Sequence, residues 1–154
     1  MSAREPGAFE RTLETEGVLF YRIEGVSMLP LLRQKRDTVV IRPPQGRLKK
    51  YDVAFYHRPN GKYVLHRVVQ VLPQGYVIRG DNCFVDETDV TDREIIGVLT
   101  DVVRGGKQTS VTAWSYRLYA RLWVDLYALR RFLRLCKGFL TEGLWVHLSN
   151  RKRK

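Results

Sequence analysis

Cysteine is scarce in this sequence, and long hydrophobic runs are absent from it. The two cysteines, Cys83 and Cys136, lie far apart and show neither CxxC spacing nor another metal-ligand pattern. We therefore expect reduced thiols, no metal and no cofactor. No window of about 18 uncharged apolar residues exists, so no transmembrane helix is predicted. The first apolar run, 18–21, is too short for the core of a signal peptide.

Acidic residues are few in the C-terminal part of the chain. The net charge is +11, and residues 111–154 carry ten Lys and Arg against only Asp125 and Glu142, a net of +8. Residues 1–110 carry seventeen basic against fourteen acidic side chains, a net of +3. The uneven charge favours an anionic partner for the C-terminal segment, either a lipid surface or nucleic acid. Hydrophobic residues make up 44% of the chain, enough for a packed core.

Short β-rich runs separated by turn signals fill the middle of the chain. Asn60-Gly61, between two alternating runs, predicts a hairpin because both residues tolerate positive φ. The pattern predicts a mainly β (α+β) fold, a compact antiparallel sheet or partly open barrel. We expect a polar segment with a short helix over 1–16, a catalytic-type domain over 17–110 and a basic extension over 111–154. The predicted strands are 17–24, 38–42, 52–57, 62–72, 75–80 and 94–104.

An amphipathic helix is predicted from Trp114 to about Leu140, with a wide apolar face and a basic polar face. Such a helix suits peripheral contact with a membrane interface through 114–140, but it equally suits packing on its own domain or on a partner chain. The tail Arg151-Lys152-Arg153-Lys154 is expected to be solvated. Localisation is accordingly expected to be peripheral to a membrane or cytoplasmic.

Three local features carry candidate chemistry. Ser27 follows a strand end and Gly25, where a loop can present a hydroxyl to a ligand, although most loop serines are turn residues. His66 shares one strand face with Val64 and Val68, which also suits a structural histidine. Gly80-Asp81-Asn82 follows the 75–80 strand and suits either an Asx-type turn or an acid that orients an imidazole.

Five sequence boxes, spread over about residues 18–104, resemble those of type I signal peptidases. Many bacterial members of that family carry lysine at the position of His66. Histidine there resembles the branch found in the endoplasmic reticulum, in archaea and in sporulation. Gly25, two residues before the serine, matches that branch too. The boxes are Ser27-Met28-x-Pro30, Lys50-x-Asp52-Val53, His66-Arg67-Val68-Val69, Gly80-Asp81-Asn82 and Ile96-Gly97-x-Leu99.

The resemblance implies a serine endopeptidase that cleaves signal or leader peptides. Ser27 would be the nucleophile and His66 its base, a role that a histidine fills near neutral pH with little adjustment of its pKa. Asp81 is the favoured orienting acid, with Asp86 as its rival. The resemblance also implies an acidic pair further along the chain, to which Asp86 and Glu87 correspond loosely. Lys62 follows the Asn60-Gly61 turn and is expected to be exposed rather than to serve as a lysine base.

The resemblance also implies where the peptide lies. Substrate would bind as an extended strand beside the Ser27 loop, with Gly25, Met28 and Leu29 in the oxyanion and substrate-binding region. The expected partner is therefore a polypeptide and not nucleic acid.

Two other function classes fit parts of the sequence. One is a non-catalytic β-domain whose basic helix binds acidic lipid or nucleic acid, supported by the charge excess and by aromatic residues near 114–123. The other is a self-cleaving regulator, for which the bonds Gly7-Ala8 and Glu16-Gly17 are poor candidates. The first class predicts that Ser27→Ala leaves function intact, and the peptidase hypothesis predicts the opposite.

Overall fold

The computed structural model describes residues 7–136. Within that part of the chain there are eight strands and three helices. Their order is α1 (Ala8–Glu16), β1 (Leu19–Arg22), β2 (Asp37–Arg42), β3 (Val53–His57), β4 (Tyr63–Leu72), β5 (Gly75–Arg79), β6 (Glu87–Val90), β7 (Ile95–Arg104), β8 (Lys107–Ser110), α2 (Trp114–Asp125) and α3 (127–136).

The strands form one antiparallel sheet in the order β1-β2-β7-β3-β4-β5-β6, with β8 paired to β7. The long strand β7 contacts β2, β3 and β8 along different parts of its length. Among the described residues no ladder joins β1 to β6, so the sheet is open. The prediction of a mainly β, antiparallel α+β fold is confirmed.

Apolar side chains on the two faces of the sheet form two cores. Strand β3 is buried on both faces, so Phe55 lies in one core while Ala54 and Tyr56 lie in the other. Strand β4 also contributes to both cores, with Leu65 in the core of Phe55 and Val68 in the core of Tyr56. Because alternate residues of a strand point to opposite faces, this arrangement puts His66 on the same side as Val68, as the sequence predicted.

The predicted strands are present, and the Asn60-Gly61 hairpin joins β3 to β4. Gly61 has φ of 85°, and the Arg58 N–H donates to the Lys62 carbonyl across the turn. Strands β6 and β8 were missed, because both lie at sheet edges and have mostly polar sequences, Glu-Thr-Asp-Val and Lys-Gln-Thr-Ser. An edge strand exposed to water needs no regular apolar alternation.

The chain divides into two compact units after Ala120. The first turns of α2 belong to the first unit, because Tyr116 and Ala120 are buried in its core. Helix α1 belongs there as well, through the core residues Phe9 and Leu13. The boundary therefore falls inside the helix that begins at Trp114.

The predicted 114–140 helix is present as α2 and α3 through residue 136. Backbone hydrogen bonds from the Leu126 N–H to the Leu122 carbonyl and from the Arg130 N–H to the Leu126 carbonyl connect the two. Residues 137–140 and the basic tail 151–154 lie outside the described part of the chain. No helix within residues 7–136 has the length and apolarity needed to cross a membrane, and Cys83 and Cys136 are free thiols.

A buried ion pair joins β4 to the loop that follows β5. Arg67 donates to both carboxylate oxygens of Asp81 at 2.8 Å, and the side chains are 0% and 2% exposed. Arg67 also donates to the Tyr51 carbonyl, while the Tyr119 hydroxyl donates to Asp81. Burial alone would lower the pKa of Arg67, but the hydrogen bonds and charge of Asp81 raise it above its ordinary value. Both charges are thus paired inside the fold.

Removing one partner of this pair should strongly destabilise the protein. Asp81→Ala leaves the Arg67 guanidinium charged and unpaired in the core, so the free energy of unfolding should fall by about 3–5 kcal/mol. Glu14→Ala, at an exposed position on α1, should change it by less than about 0.5 kcal/mol. Urea denaturation measures both, and equal small changes would show that the pair does not hold these segments together.

Candidate active site

Three segments meet around a cavity of about 470 Å³. The loop after β1 supplies Ser27, the first half of β4 supplies His66, and the loop after β5 supplies Cys83. Apolar and aromatic side chains from β1, β3 and β4 form much of the remaining wall, including Tyr21, Phe55, Tyr63 and Leu65. The two residues of the predicted dyad, 39 positions apart in sequence, therefore line one cavity.

Gly80 lies close to both the serine loop and the histidine. A Cβ placed on Gly80 would lie 2.7 Å from the Ser27 carbonyl oxygen, 2.8 Å from Cys83 Sγ and 2.9 Å from His66 Nε2. These separations are shorter than carbon contacts allow, so only glycine fits between the three groups. Glycine in the Gly-Asp-Asn box is explained by lack of space.

Hydrogen bonds fix the serine loop at both ends. The Asn82 N–H donates to the Ser27 carbonyl at 2.8 Å, and the Asn82 side-chain amide donates to the Val26 carbonyl at 3.2 Å. At the far end, buried Asp37 accepts from the Arg33 N–H at 2.9 Å and from the Arg104 guanidinium. Gly25, with φ of 78°, lets the chain turn out of β1 before Ser27. The position of Ser27 is thus set by backbone contacts on both sides.

His66 is 5% exposed and is oriented by a carboxylate. Its Nδ1 lies 3.0 Å from Glu87 Oε1 and 3.3 Å from the Tyr56 hydroxyl. Burial lowers the pKa of His66 below its ordinary value, against the opposing charge of Glu87, so the imidazole is neutral at pH 7. An ionised carboxylate only accepts hydrogen bonds, so Nδ1 carries the proton and Nε2 presents a lone pair on the Gly80 side.

Glu87 is itself held in place by Arg58. The guanidinium donates to both carboxylate oxygens, at 2.8 and 2.6 Å. Burial alone would raise the pKa of Glu87, but the hydrogen bonds from Arg58 and Tyr56 keep it below its ordinary value. Burial, reinforced by Glu87, raises the pKa of Tyr56, so this phenol stays neutral. Glu87 therefore remains ionised opposite a neutral imidazole.

The carboxylate hydrogen-bonded to His66 is Glu87, whereas the sequence favoured Asp81 as the orienting acid, with Asp86 as its rival. Asp81 is occupied by Arg67, and Asp86 accepts from Arg79 at 2.9 Å. The sequence indicated Glu87 only as a loose match beside Asp86, and its strand β6 has no apolar pattern that would predict its position. Only the pairing of β6 with β5 brings Glu87 to the neighbouring strand β4.

The other predicted site residues divide into two groups. Gly25 and Met28 line the cavity, with Met28 also buried in the core, whereas Leu29 is not among the lining residues of the described chain. Lys62 lies at the cavity edge and is exposed, as expected. Cys83, which sequence reasoning left unexplained, lines the cavity, and burial raises the pKa of its thiol. At neutral pH this group is therefore a thiol and not a thiolate.

Comparison with protein-family models, curated proteins and solved structures finds no match to this chain. Within residues 7–136 no group of three or more His, Cys, Asp or Glu side chains is placed to hold a metal ion. What the cavity can do therefore follows from its own side chains. A neutral imidazole with a fixed Nδ1 proton can accept a proton at Nε2 and later return it.

The pKa of His66 should lie below about 6.5 and should depend on Glu87. Glu87→Gln removes a negative charge that favours the imidazolium, so the pKa should fall further. Asp89→Asn, at an exposed position on the same strand, should leave it unchanged. NMR titration of the imidazole measures the shift, and an unaltered pKa in Glu87→Gln would contradict the assigned contact.

The pKa of His66 is lower in the folded protein than in the unfolded chain, so the unfolded chain takes up the proton at higher pH. The free energy of unfolding should therefore fall as the pH drops below about 6.5.

Gly80→Ala should force the serine loop and His66 apart. The added methyl overlaps three groups, so unfolding should become easier by about 1–3 kcal/mol and the His66 resonances should move. Gly105→Ala is the matched control. Its loss of stability comes only from the backbone φ of 55°, because the added methyl would contact nothing within 4 Å. It should lower stability and leave the His66 resonances in place. Unchanged His66 resonances in Gly80→Ala would count against the close approach.

Proposed function

We propose that the protein is a serine endopeptidase that resembles type I signal peptidases of the histidine type and cleaves signal or leader peptides. One observation carries the proposal: Ser27 and His66 line the same cavity, and the Ser27 carbonyl oxygen and His66 Nε2 both lie close to Gly80. A serine becomes nucleophilic only beside a base, and a neutral, oriented imidazole is a suitable one. The proposal adds Glu87 as the orienting carboxylate in place of Asp81 and Asp86.

The reaction follows the usual order for acyl transfer to serine. His66 Nε2 accepts the Ser27 proton while the oxygen attacks the scissile carbonyl, and the imidazolium then protonates the departing amine. Water, deprotonated by the same nitrogen, hydrolyses the acyl-enzyme. Glu87 stabilises the transient imidazolium through Nδ1, and Arg58 keeps that carboxylate ionised and in place.

Backbone groups of the serine loop suit the developing oxyanion. In the described chain neither the Ser27 N–H nor the Met28 N–H donates a hydrogen bond to another group. A pair of N–H donors beside the nucleophile is the usual composition of an oxyanion hole. No side-chain hydroxyl stands two residues before Ser27, since that position is Gly25, so backbone donors take this role.

The sheet offers two strand edges for an extended peptide next to the cavity. Strand β1 pairs only with β2 in the described chain, and β4 pairs with β5 only from Arg67 onward. Residues 64–66 of β4 therefore have no ladder partner on that edge within the described chain, and they line the cavity together with Tyr21 and Ile23. Main-chain pairing at such edges binds a peptide with little regard to its sequence.

A serine-directed fluorophosphonate probe should label the protein once, at Ser27, as judged by intact mass and peptide mapping. Ser27→Ala should not be labelled. His66→Ala should react about 10²–10⁴-fold more slowly, because the general base is lost. The wild-type rate should rise with pH through the low pKa of His66.

Lys62→Ala is the control that separates the two candidate bases. It should react within about twofold of wild type, because Lys62 is exposed to solvent and is not the proposed base. Loss of labelling in Lys62→Ala as great as in His66→Ala would transfer the base role to lysine. Undiminished labelling of Ser27→Ala would contradict the serine-peptidase proposal. If labelling depends on Ser27, cleavage of a leader-peptide substrate tests the endopeptidase class.

A further inference from the structure

An apolar stripe runs along the helical residues 121–136. Its members recur at i, i+4, i+7 and i+11, the spacing that places side chains on one helix face. They are 45–62% exposed, although leucine and phenylalanine are ordinarily buried. The stripe consists of Leu122, Leu126, Leu129, Leu133 and the adjacent Phe132.

Arginines flank the apolar stripe on the rest of the helix. Residues 121–136 contain four arginines, at 121, 130, 131 and 134, and a single acidic residue, Asp125. The Arg130 guanidinium lies 3.8 Å from the Trp123 ring centroid, off the stripe. Arg131 and Arg134 are exposed on the side away from Leu122 and Leu126. The segment is thus apolar along the stripe, while the rest of its surface carries the arginines together with exposed Leu135.

Among possible occupants, an anionic lipid surface satisfies both faces at once. The headgroup region supplies negative charge for the arginines, and the acyl boundary below it takes up leucine and phenylalanine. Nucleic acid would neutralise the arginines but leave the stripe in water. A second copy of the chain would cover the stripe but place like charges near one another. Charge complementarity therefore favours the bilayer.

We propose that residues 121–136 form an interfacial arm that lies in the surface of an anionic lipid bilayer, with the apolar stripe in the acyl boundary and the arginines at the headgroups. The arm binds peripherally and does not depend on the peptidase proposal. It narrows the broader membrane contact expected for 114–140 to a segment in which both exposure and charge are defined.

Flotation of the full-length protein with vesicles tests the arm. Vesicles of phosphatidylcholine containing phosphatidylglycerol should bind the protein, and phosphatidylcholine alone should bind it at least tenfold less. Binding should weaken with added salt. Leu129→Ser with Leu133→Ser should reduce binding at least tenfold. Arg131→Gln with Arg134→Gln should reduce binding to the anionic vesicles by about fivefold per arginine.

The matched control is Phe20→Ser with Val85→Ser, two exposed apolar residues outside the arm. It should bind like wild type, and circular dichroism should show that every variant is folded. Equal loss of binding in this control, or no preference for anionic vesicles, overturns the proposal. Light scattering gives the remaining outcome: a dimer that Leu129→Ser with Leu133→Ser converts to monomer would assign the stripe to a second copy of this chain.

Discussion

The buried pair between Arg67 and Asp81 is the interaction on which the site's geometry depends. Arg67 directly follows His66 on β4, and Asp81 directly follows Gly80 and precedes Asn82 in the loop after β5. The pair therefore connects the strand that carries the imidazole to the loop whose Asn82 holds the Ser27 carbonyl. Two charges inside a core are stable only while both remain paired, so this connection is rigid.

The charges of Arg58 and Glu87, together with burial, determine the protonation state of His66. Arg58 keeps Glu87 ionised, Glu87 fixes the proton on His66 Nδ1, and burial keeps the imidazole neutral. Nε2 is thereby left as the basic atom on the side shared with Ser27. In the proposed reaction Glu87 would stabilise the imidazolium, while Arg58 holds that carboxylate in place.

The sequence pattern predicted the strands and strand faces that depend only on residues close together in the chain. The alternating runs gave β2 to β5 and β7, and the face of β4 that carries His66 followed from the period of two. Glu87 could not be found in this way, because its contact with His66 depends on how β6, β5 and β4 align in the folded sheet. The partner of Asp81 could not be predicted for a related reason: Arg67, fourteen positions earlier, donates to both of its carboxylate oxygens.

The central claim of the proposed function is that the Ser27 hydroxyl and His66 Nε2 face each other in the cavity that both residues line. A crystal structure of the wild-type protein near pH 7 measures this directly, through the distance from Ser27 Oγ to His66 Nε2. The account predicts a separation of about 3–4 Å, with Nδ1 still on Glu87. A hydroxyl that points out of the cavity, with another group hydrogen-bonded to Nε2, would contradict it.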